Sequence, residues 1–340
     1  MAKRFAVIGT GLWGGMHAKV YRDHPGAELA AVCDLDGERA RAVAADCGAP
    51  KAYTDWRDVA ADGSIDAVSV VTPDFAHADI VIACARAGKH VLVEKPMAMT
   101  VPECEQMIQA AKAGGAKLMV DFHNRWNPPF HLAHGAIRRG EIGQPRFAYC
   151  RLSNTTYVPL KMLSWAAKSS SLWFLGSHTI DIVCWLLGEW PQRVYSVSRR
   201  EVLKKLGVDA PDFFQSILEF PSGAVATVEN TWILPESFPT VVESVCELIG
   251  TEGRIDVDTH TSDTLRVTKK DGRRYQDVLG APVVFDRQLG FTIESIKHFA
   301  DCVIQDKTPL IPAEDGLEVT RIACAIEQSA ATGQPVAIAR

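Results

Sequence analysis

The chain has no Cys-x-x-Cys pair, no excess of basic charge, and no apolar run near the ~20 residues that a membrane-spanning helix needs. Each absence removes a class of function. The nine cysteines sit singly and mostly in apolar context, so they read as small core residues rather than as zinc ligands or a disulfide framework. Their odd number points to a reducing cytoplasm. Lys and Arg number 36 against 41 Asp and Glu, a formal charge of −5, without the basic stripe that nucleic-acid binders carry. A short apolar segment follows Met1-Ala2-Lys3-Arg4, but Gly9, Gly11, Gly14 and Gly15 interrupt it. A buried strand entering a glycine loop explains that pattern better than a secretory leader.

What is present suits a two-domain globular protein: 340 residues, 47% apolar and 23% charged. The first third alternates short apolar runs with amphipathic stretches, the pattern of a parallel sheet covered by helices. Strands are predicted at 5–8, 29–33, 67–71, 90–93 and 117–122, and helices at 12–22, 38–46, 76–87 and 102–114. After about Asn124 the runs lengthen and alternate, as at 146–152, 216–220, 224–230, 245–249 and 265–268. Turns at Pro221-Ser222-Gly223 and Asp271-Gly272 separate some of them and point to an antiparallel sheet. Further helices are predicted at 176–187, 291–305 and 314–331. The expected division is a dinucleotide-binding domain over 1–124 and a substrate and oligomerisation domain over 125–340, whose last helix packs back toward the first domain.

Gly9-Thr10-Gly11-Leu12-Trp13-Gly14 follows an apolar strand and opens a helix. Roughly one chain in eight of this length would carry Gly-x-Gly-x-x-Gly by chance, so its context carries the weight. The first glycine permits a tight turn, the second lets the backbone approach a pyrophosphate, and the third lets helix and strand pack closely. The amides of the helix start, at Leu12 and Trp13, then face the phosphates. Asp34 ends the second strand, where a carboxylate accepts from both ribose hydroxyls and repels a 2′-phosphate. NAD is therefore the expected cofactor and NADP the less favoured one, although Arg39 and Arg41 lie nearby.

At Val71-Thr72-Pro73 with His77, and at Gly88-Lys89-His90-Val91-Leu92-Val93-Glu94-Lys95-Pro96, the chain resembles the Gfo/Idh/MocA oxidoreductases, whose hallmark is a Glu-Lys-Pro triplet. Phe122-His123-Asn124-Arg125-Trp126-Asn127-Pro128 is similar to the family's crossing into its second domain. Gly176-Ser177-His178-Thr179-Ile180-Asp181 is similar to its Gly-x-His-x-x-Asp helix. Pro312, Asp315-Gly316 and Gly333 extend the match to nearly the whole chain. The resemblance implies an N-terminal Rossmann domain and a C-terminal α+β domain with a large open, mostly antiparallel sheet. It implies an active site at the C-terminal ends of the parallel strands, as the general rule for open α/β sheets also does.

The implied chemistry is hydride transfer between nicotinamide and a secondary alcohol or ketone of a sugar, polyol or sugar derivative, with no metal. Lys95 would stabilise the developing alkoxide and take part in proton transfer. His178 would be the acid/base, since an imidazole exchanges protons near neutrality. Thr72, Pro73, His77, Glu94 and Lys95 itself would line the cofactor, Glu94 either orienting Lys95 or lying near the nicotinamide ribose. His123, Arg125, Trp165 and Asp181 would meet the substrate, Arg125 either binding an anionic group or pairing internally. Many relatives carry an aspartate four positions before the histidine; here that position is Phe174, and Ser169-Ser170-Ser171 replaces the usual glycines upstream. A substrate-contacting carboxylate is thus missing: either His178 and Lys95 suffice, or the substrate meets an apolar or aromatic wall at Phe174. Two alternatives remain open at this stage: glycoside cleavage through transient oxidation, and a non-catalytic NAD-binding regulator. The broad sheet face is expected to bury itself in a homodimer or homotetramer.

Overall fold

The computed structural model describes residues 2–259, 265–269, 272–275 and 277–339. The chain divides into two compact units, one comprising Met1–His123 with Ala281–Leu317 and the other Asn124–Gly280 with Glu318–Arg340.

In the first unit, six parallel strands are β1 (Lys3–Ile8), β2 (Ala27–Cys33), β3 (Ala52–Tyr53), β4 (Ala67–Val70), β5 (His90–Val93) and β6 (Leu118–Val120). Among the described residues they form one sheet in the order β3-β2-β1-β4-β5-β6. The order reverses beside β1, so the carboxyl ends of β1 and β4 flank the crevice where a dinucleotide fits. The central strands are buried on both faces, which is why they read as unbroken apolar runs instead of alternating ones. Helices α1 (Leu12–Asp23), α2 (Gly37–Cys47), α3 (Trp56–Ala61), α4 (His77–Arg86) and α5 (Val101–Gly114) connect them.

Their ends follow local chemistry. Asp36 caps α2 by accepting from the amides of Glu38 and Arg39, and Thr100 caps α5 by accepting from Glu103. Gly48 and Gly115, both left-handed, close α2 and α5. The strand predicted at 117–122 stops at Val120, because Asp121 and Phe122 already lead into a 3-10 turn over His123–Trp126. The sequence sets the domain boundary at 124/125, whereas the contacts divide the chain at 123/124 and return a later segment to the first unit.

The second unit carries α6 (Pro128–Arg138), β7 (Pro145–Asn154), α7 (Ser177–Leu187), β8 (Arg193–Arg199), the single turn α8 (Val202–Lys205), β9 (Phe213–Glu219), β10 (Val225–Thr231), β11 (Val242–Gly250) and β12 (Arg254–Asp258). Helix α6 opens on Pro128-Pro129, which is tolerated because first-turn amides need no partner within the helix. Two short antiparallel strand pairs follow, β13 (Arg266–Lys269) with β14 (Gly272–Tyr275) in this unit, and β15 (Val283–Val284) with β16 (Arg287–Gln288) in the segment that returns to the first unit. Asp271, half of the predicted turn, lies outside the described residues.

Helix α9 (Phe291–Ile304) belongs to the first unit, and α10 (Ala313–Thr332) is shared between the two assignments. The terminal strand β17 (Val336–Ala337) pairs with β8. The larger sheet runs β12-β11-β7-β10-β9-β8-β17, antiparallel throughout except for the parallel β7–β10 pair. One face is buried through residues such as Phe214, Leu218, Ala226, Val228 and Leu248, and α7 packs on β7 and β10. The other face shows Phe147, Tyr195, Ile217 and Ile249. Among the described residues no helix is long and apolar enough to cross a membrane.

Candidate active site

Gly9 has φ +92°, and a Cβ there would lie 2.3 Å from the Val71 carbonyl oxygen. A Cβ on Gly14 would lie 1.8 Å from the Gly9 carbonyl oxygen. Backbone thus presses on backbone at both ends of the loop, and only glycine fits. At Gly11 nothing stands within 4 Å of the corresponding position. Helix α1 starts there without a side-chain cap, so its first amides, at Leu12 and Trp13, face this opening. Thr72 Oγ1 is buried without a hydrogen-bond partner, and His77 bridges the carbonyls of Thr72 and Pro96 at 2.8 Å each. His77 so ties the loop after β4 to the cis Lys95–Pro96 peptide after β5.

These features fit a dinucleotide: an open cradle at the pyrophosphate position and an orphaned hydroxyl beside it. Gly14→Ala is expected to cost about 1–3 kcal/mol through forced overlap and to weaken NAD binding. Gly15→Ala, with nothing within 4 Å of the added carbon, should do neither. Thermal unfolding with and without NAD checks both variants.

Asp34 closes the crevice on the β2 side. Its Oδ2 accepts from the amide and hydroxyl of Thr10, at 2.8 and 2.9 Å, and Arg39 grips both of its oxygens. Burial alone would raise the carboxyl. The amides of Asp36 and Thr10, with Arg39, outweigh that and hold it below the usual carboxylate range.

Lys95 leaves the carboxyl end of β5 with 8% of its surface exposed. Its amide donates to Glu94 Oε2 at 3.3 Å, and its charge acts on both Glu94 and His123. Behind it lies a buried polar network. His17 Nε2 stands 3.3 Å from Glu94 Oε1 and 3.8 Å from Asp121 Oδ2, and His17 Nδ1 meets Ser69 Oγ, which also bonds Tyr21. Ligating atoms of His17, Glu94 and Asp121 all lie within 4.8 Å of one another. These are metal-ligand residue types, but their mutual hydrogen bonding also suits a shared proton.

Burial pushes His17 down to about 4, so its imidazole is neutral. Burial, then the Glu94 charge, pushes Asp121 up to about 7, and burial raises Glu94 as well. Two carboxyls so close cannot both ionise without cost. His123, in ring contact with Trp13 and Phe291, is driven down to about 3 by burial and by the Lys95 charge. It is a neutral donor or acceptor.

The Asp121 shift has a consequence for stability. The folded chain keeps this proton up to about pH 7, whereas the unfolded chain releases it near 3.8, the ordinary value for an aspartate. The neutral form's contribution is therefore complete below about pH 4 and lost as pH rises toward 7. Asp121→Asn, neutral at every pH, should gain on the wild type by a few degrees in melting temperature between about pH 5 and about pH 8. A constant difference across that range would contradict the protonated pair.

In the second unit His178 lies in the first turn of α7 and is 8% exposed. Asp181, three residues on, is gripped by Arg125 through Nε at 3.2 Å and through Nη2. The Arg125 guanidinium also lies over the Trp185 ring, 5.8 Å from its centroid, and His134 stacks on that ring at 4.1 Å. Phe174 sits in a π-helical turn, Leu172–Gly176, that runs directly into α7. It contacts Trp165 and Trp232 at 6.1 and 6.0 Å between ring centroids, so an aromatic cluster stands at this position. Trp173 is anchored through its indole N–H to Glu327.

Of the residues singled out in the sequence, Gly9, Gly11, Leu12, Trp13, Gly14, Asp34, Thr72, Pro73, His77, Glu94, Lys95 and His123 lie in the first unit, and Arg125, Trp165, Phe174, His178 and Asp181 in the second. Sequence reasoning missed His17, Ser69 and Asp121. The signal that could have found them is a histidine on the sheet-facing side of α1 and polar residues in or directly after strands otherwise wholly apolar.

Two family models match: an oxidoreductase family NAD-binding Rossmann fold over residues 3–122, and the same family's C-terminal alpha/beta domain over residues 134–338. The scyllo-inositol 2-dehydrogenase (NAD(+)) of Bacillus subtilis is 30% identical over 341 residues, covering 98% of this chain and 95% of that protein. The myo-inositol 2-dehydrogenase of Thermotoga maritima is 28% identical over 315 residues, covering 92% of each. A scyllo-inositol dehydrogenase of Lactobacillus casei, solved with NAD(H) and scyllo-inositol, shares the fold with a TM-score of 0.84 at 19% identity, covering all of both chains. With the cradle and the Glu-Lys-Pro lysine in place, the chain belongs to the Gfo/Idh/MocA family of NAD-dependent oxidoreductases.

Proposed function

We propose that the protein oxidises a secondary hydroxyl of a cyclic polyol, sugar or sugar derivative, or reduces the matching ketone. The observation that carries this reading is Lys95: a buried ammonium at the carboxyl end of β5, in the same unit as the open cradle at Gly11 and the ribose carboxylate Asp34. The inositol dehydrogenases among its relatives support the substrate class.

When bound, NAD accepts the hydride; the remaining tasks fall to side chains. Lys95 holds the hydroxyl oxygen and stabilises the alkoxide that develops as its proton leaves. His178 takes that proton and returns it in the reverse direction. Glu94 orients Lys95 through the adjacent backbone contact, and neutral His123 offers a hydrogen bond without competing charge. Arg125 is already neutralised by Asp181, so it recognises hydroxyls by donation rather than an anionic group by net charge. Trp165 and Phe174 supply an apolar wall for the C–H face of the ring.

Purified protein given NAD and a panel of inositols, aldoses and keto-sugars should form reduced nicotinamide with at least one cyclic member. Silence across the panel would overturn the reading.

The exposed Phe147, Tyr195, Ile217 and Ile249 on the outer sheet face support assembly as a homodimer or homotetramer through a second copy of that face. A monomer in light scattering at micromolar concentration would refute it. The cysteines, all buried except for the half-buried Cys324, behave as core residues and suit a reducing cytoplasm.

A further inference from the structure

The buried polar network behind Lys95 has a direction. His17 and Tyr21, one turn apart on α1, and Ser69 of β4 have none of their surface exposed. Tyr21 Oη stands 2.6 Å from Ser69 Oγ, which is 3.0 Å from His17 Nδ1. His17 Nε2 in turn stands 3.3 Å from Glu94 Oε1. Burial raises the pKa of the Tyr21 hydroxyl, so it keeps its proton and has to place it. Ser69 Oγ is its hydrogen-bond partner among the described residues. Were Ser69 to donate to Tyr21 instead, the phenolic proton would be buried without an acceptor. Tyr21 therefore donates to Ser69, and the Ser69 hydrogen is left for His17 Nδ1. A proton on Nδ1 would strand that hydrogen, so the neutral imidazole accepts there and carries its own proton on Nε2. That proton goes to Glu94.

The two carboxyls are served unequally. Glu94 Oε1 receives His17, and Oε2 receives the Lys95 amide at 3.3 Å. Asp121 Oδ1 is buried without a hydrogen-bond partner, which a neutral carboxyl tolerates better than a carboxylate. The proton shared by the pair thus belongs to Asp121, which donates to Glu94. Glu94 is left as the anion opposite the Lys95 ammonium. The other titratable groups around it are His77 of α4 and, beyond Lys95, His123, while Ser295 of α9 meets Asp121.

We propose that His17 is a positioning residue, the last donor of a one-way chain from Tyr21 through Ser69 that holds Glu94 as the anionic support of the Lys95 ammonium. Removing this donor leaves Glu94 Oε1 free to turn and lets the carboxylate take up a proton more readily. The ammonium then loses the fixed charge that sets its place. This rests on the role given to Lys95 in the proposed reaction.

Nitrogen-15 NMR of the full-length, histidine-labelled protein reads the direction of the chain without any substrate, with His17→Gln to assign the signal. Nε2 should carry the proton and Nδ1 should be bare; the opposite tautomer overturns the inference whatever the activity. In steady state at saturating NAD, His17→Ala should lower kcat about tenfold with KM nearly unchanged. The acid limb of its pH–kcat profile should also move to higher pH, because Glu94 gains its proton more easily. His17→Gln, whose amide can donate from the same place, should recover kcat to within about threefold of the wild type. Equal losses in both variants at equal melting temperature, or an acid limb that stays in place, would overturn the inference. So would a stoichiometric metal ion on the purified protein whose removal by a chelator abolishes turnover, since His17, Glu94 and Asp121 would then be ligands. Wild-type turnover in Lys95→Ala removes the role on which the inference rests, and the inference with it, whatever tautomer His17 shows.

Discussion

Lys95→Ala leaves NAD affinity close to that of the wild type and lowers turnover by about 10²-fold to 10³-fold. The reason lies in where charge appears. Before hydride departs, the substrate hydroxyl is neutral and needs only ordinary hydrogen bonds. As the proton leaves, an alkoxide forms, and an ammonium with 8% of its surface exposed acts on it through a medium poorer than water at screening charge. That stabilisation exists only along the reaction, so its loss falls on kcat more than on KM. The cradle at Gly9, Gly11 and Gly14 does not include the Lys95 side chain, which is why cofactor affinity should persist. Steady-state rates on the best member of the substrate panel, beside a dinucleotide titration, provide the measurement. Turnover near the wild-type value would remove Lys95 from the chemistry.

His178→Ala lowers turnover by about 10²-fold. It also flattens the pH–rate profile in the range where imidazoles titrate. The π-helical turn at Leu172–Gly176 and the first turn of α7 fix the backbone here, with Ser177 Oγ donating to the Trp173 carbonyl and Thr179 Oγ1 to the Gly176 carbonyl. The side chain can be removed without unravelling this support, so melting temperature should fall far less than activity. Added free imidazole should restore part of the rate by supplying the missing acid/base from solution. A full wild-type pH profile in the variant would refute the assignment, and so would a loss of rate that merely tracks a loss of fold.

Much of this arrangement was legible in the amino-acid sequence, for reasons that differ from element to element. The strands at β1, β4 and β5 are buried on both faces, so their apolar runs carry no competing pattern. The glycine loop was readable because backbone meets backbone at Gly9 and Gly14, and no other residue meets that demand. Strand β8 was missed although Arg193, Tyr195 and Val197 alternate with Val194 and Ser196, since its outward half is too polar to announce a strand. The π-helical turns at Val158–Met162 and Leu172–Gly176 leave no periodic trace in so few residues. The link from His17 to Asp121 depends on α1 and β6 meeting in space, and no local spacing records that meeting. The Arg39 grip on Asp34 was within reach of sequence reasoning as proximity, but not as two hydrogen bonds that engage both carboxylate oxygens.

The return of Ala281–Leu317 to the first unit bears on how the protein is made. Phe299, with none of its surface exposed, stands edge-on to Phe5, which in turn stacks on Tyr21 of α1, and Ile304 rests against Gly26. During synthesis the ribosome must therefore complete residues 124–280 of the second unit before these amino-terminal groups receive their cover. Until then the nascent nucleotide-binding half carries a bare apolar flank, and a fragment ending at His123 would keep that flank exposed to water.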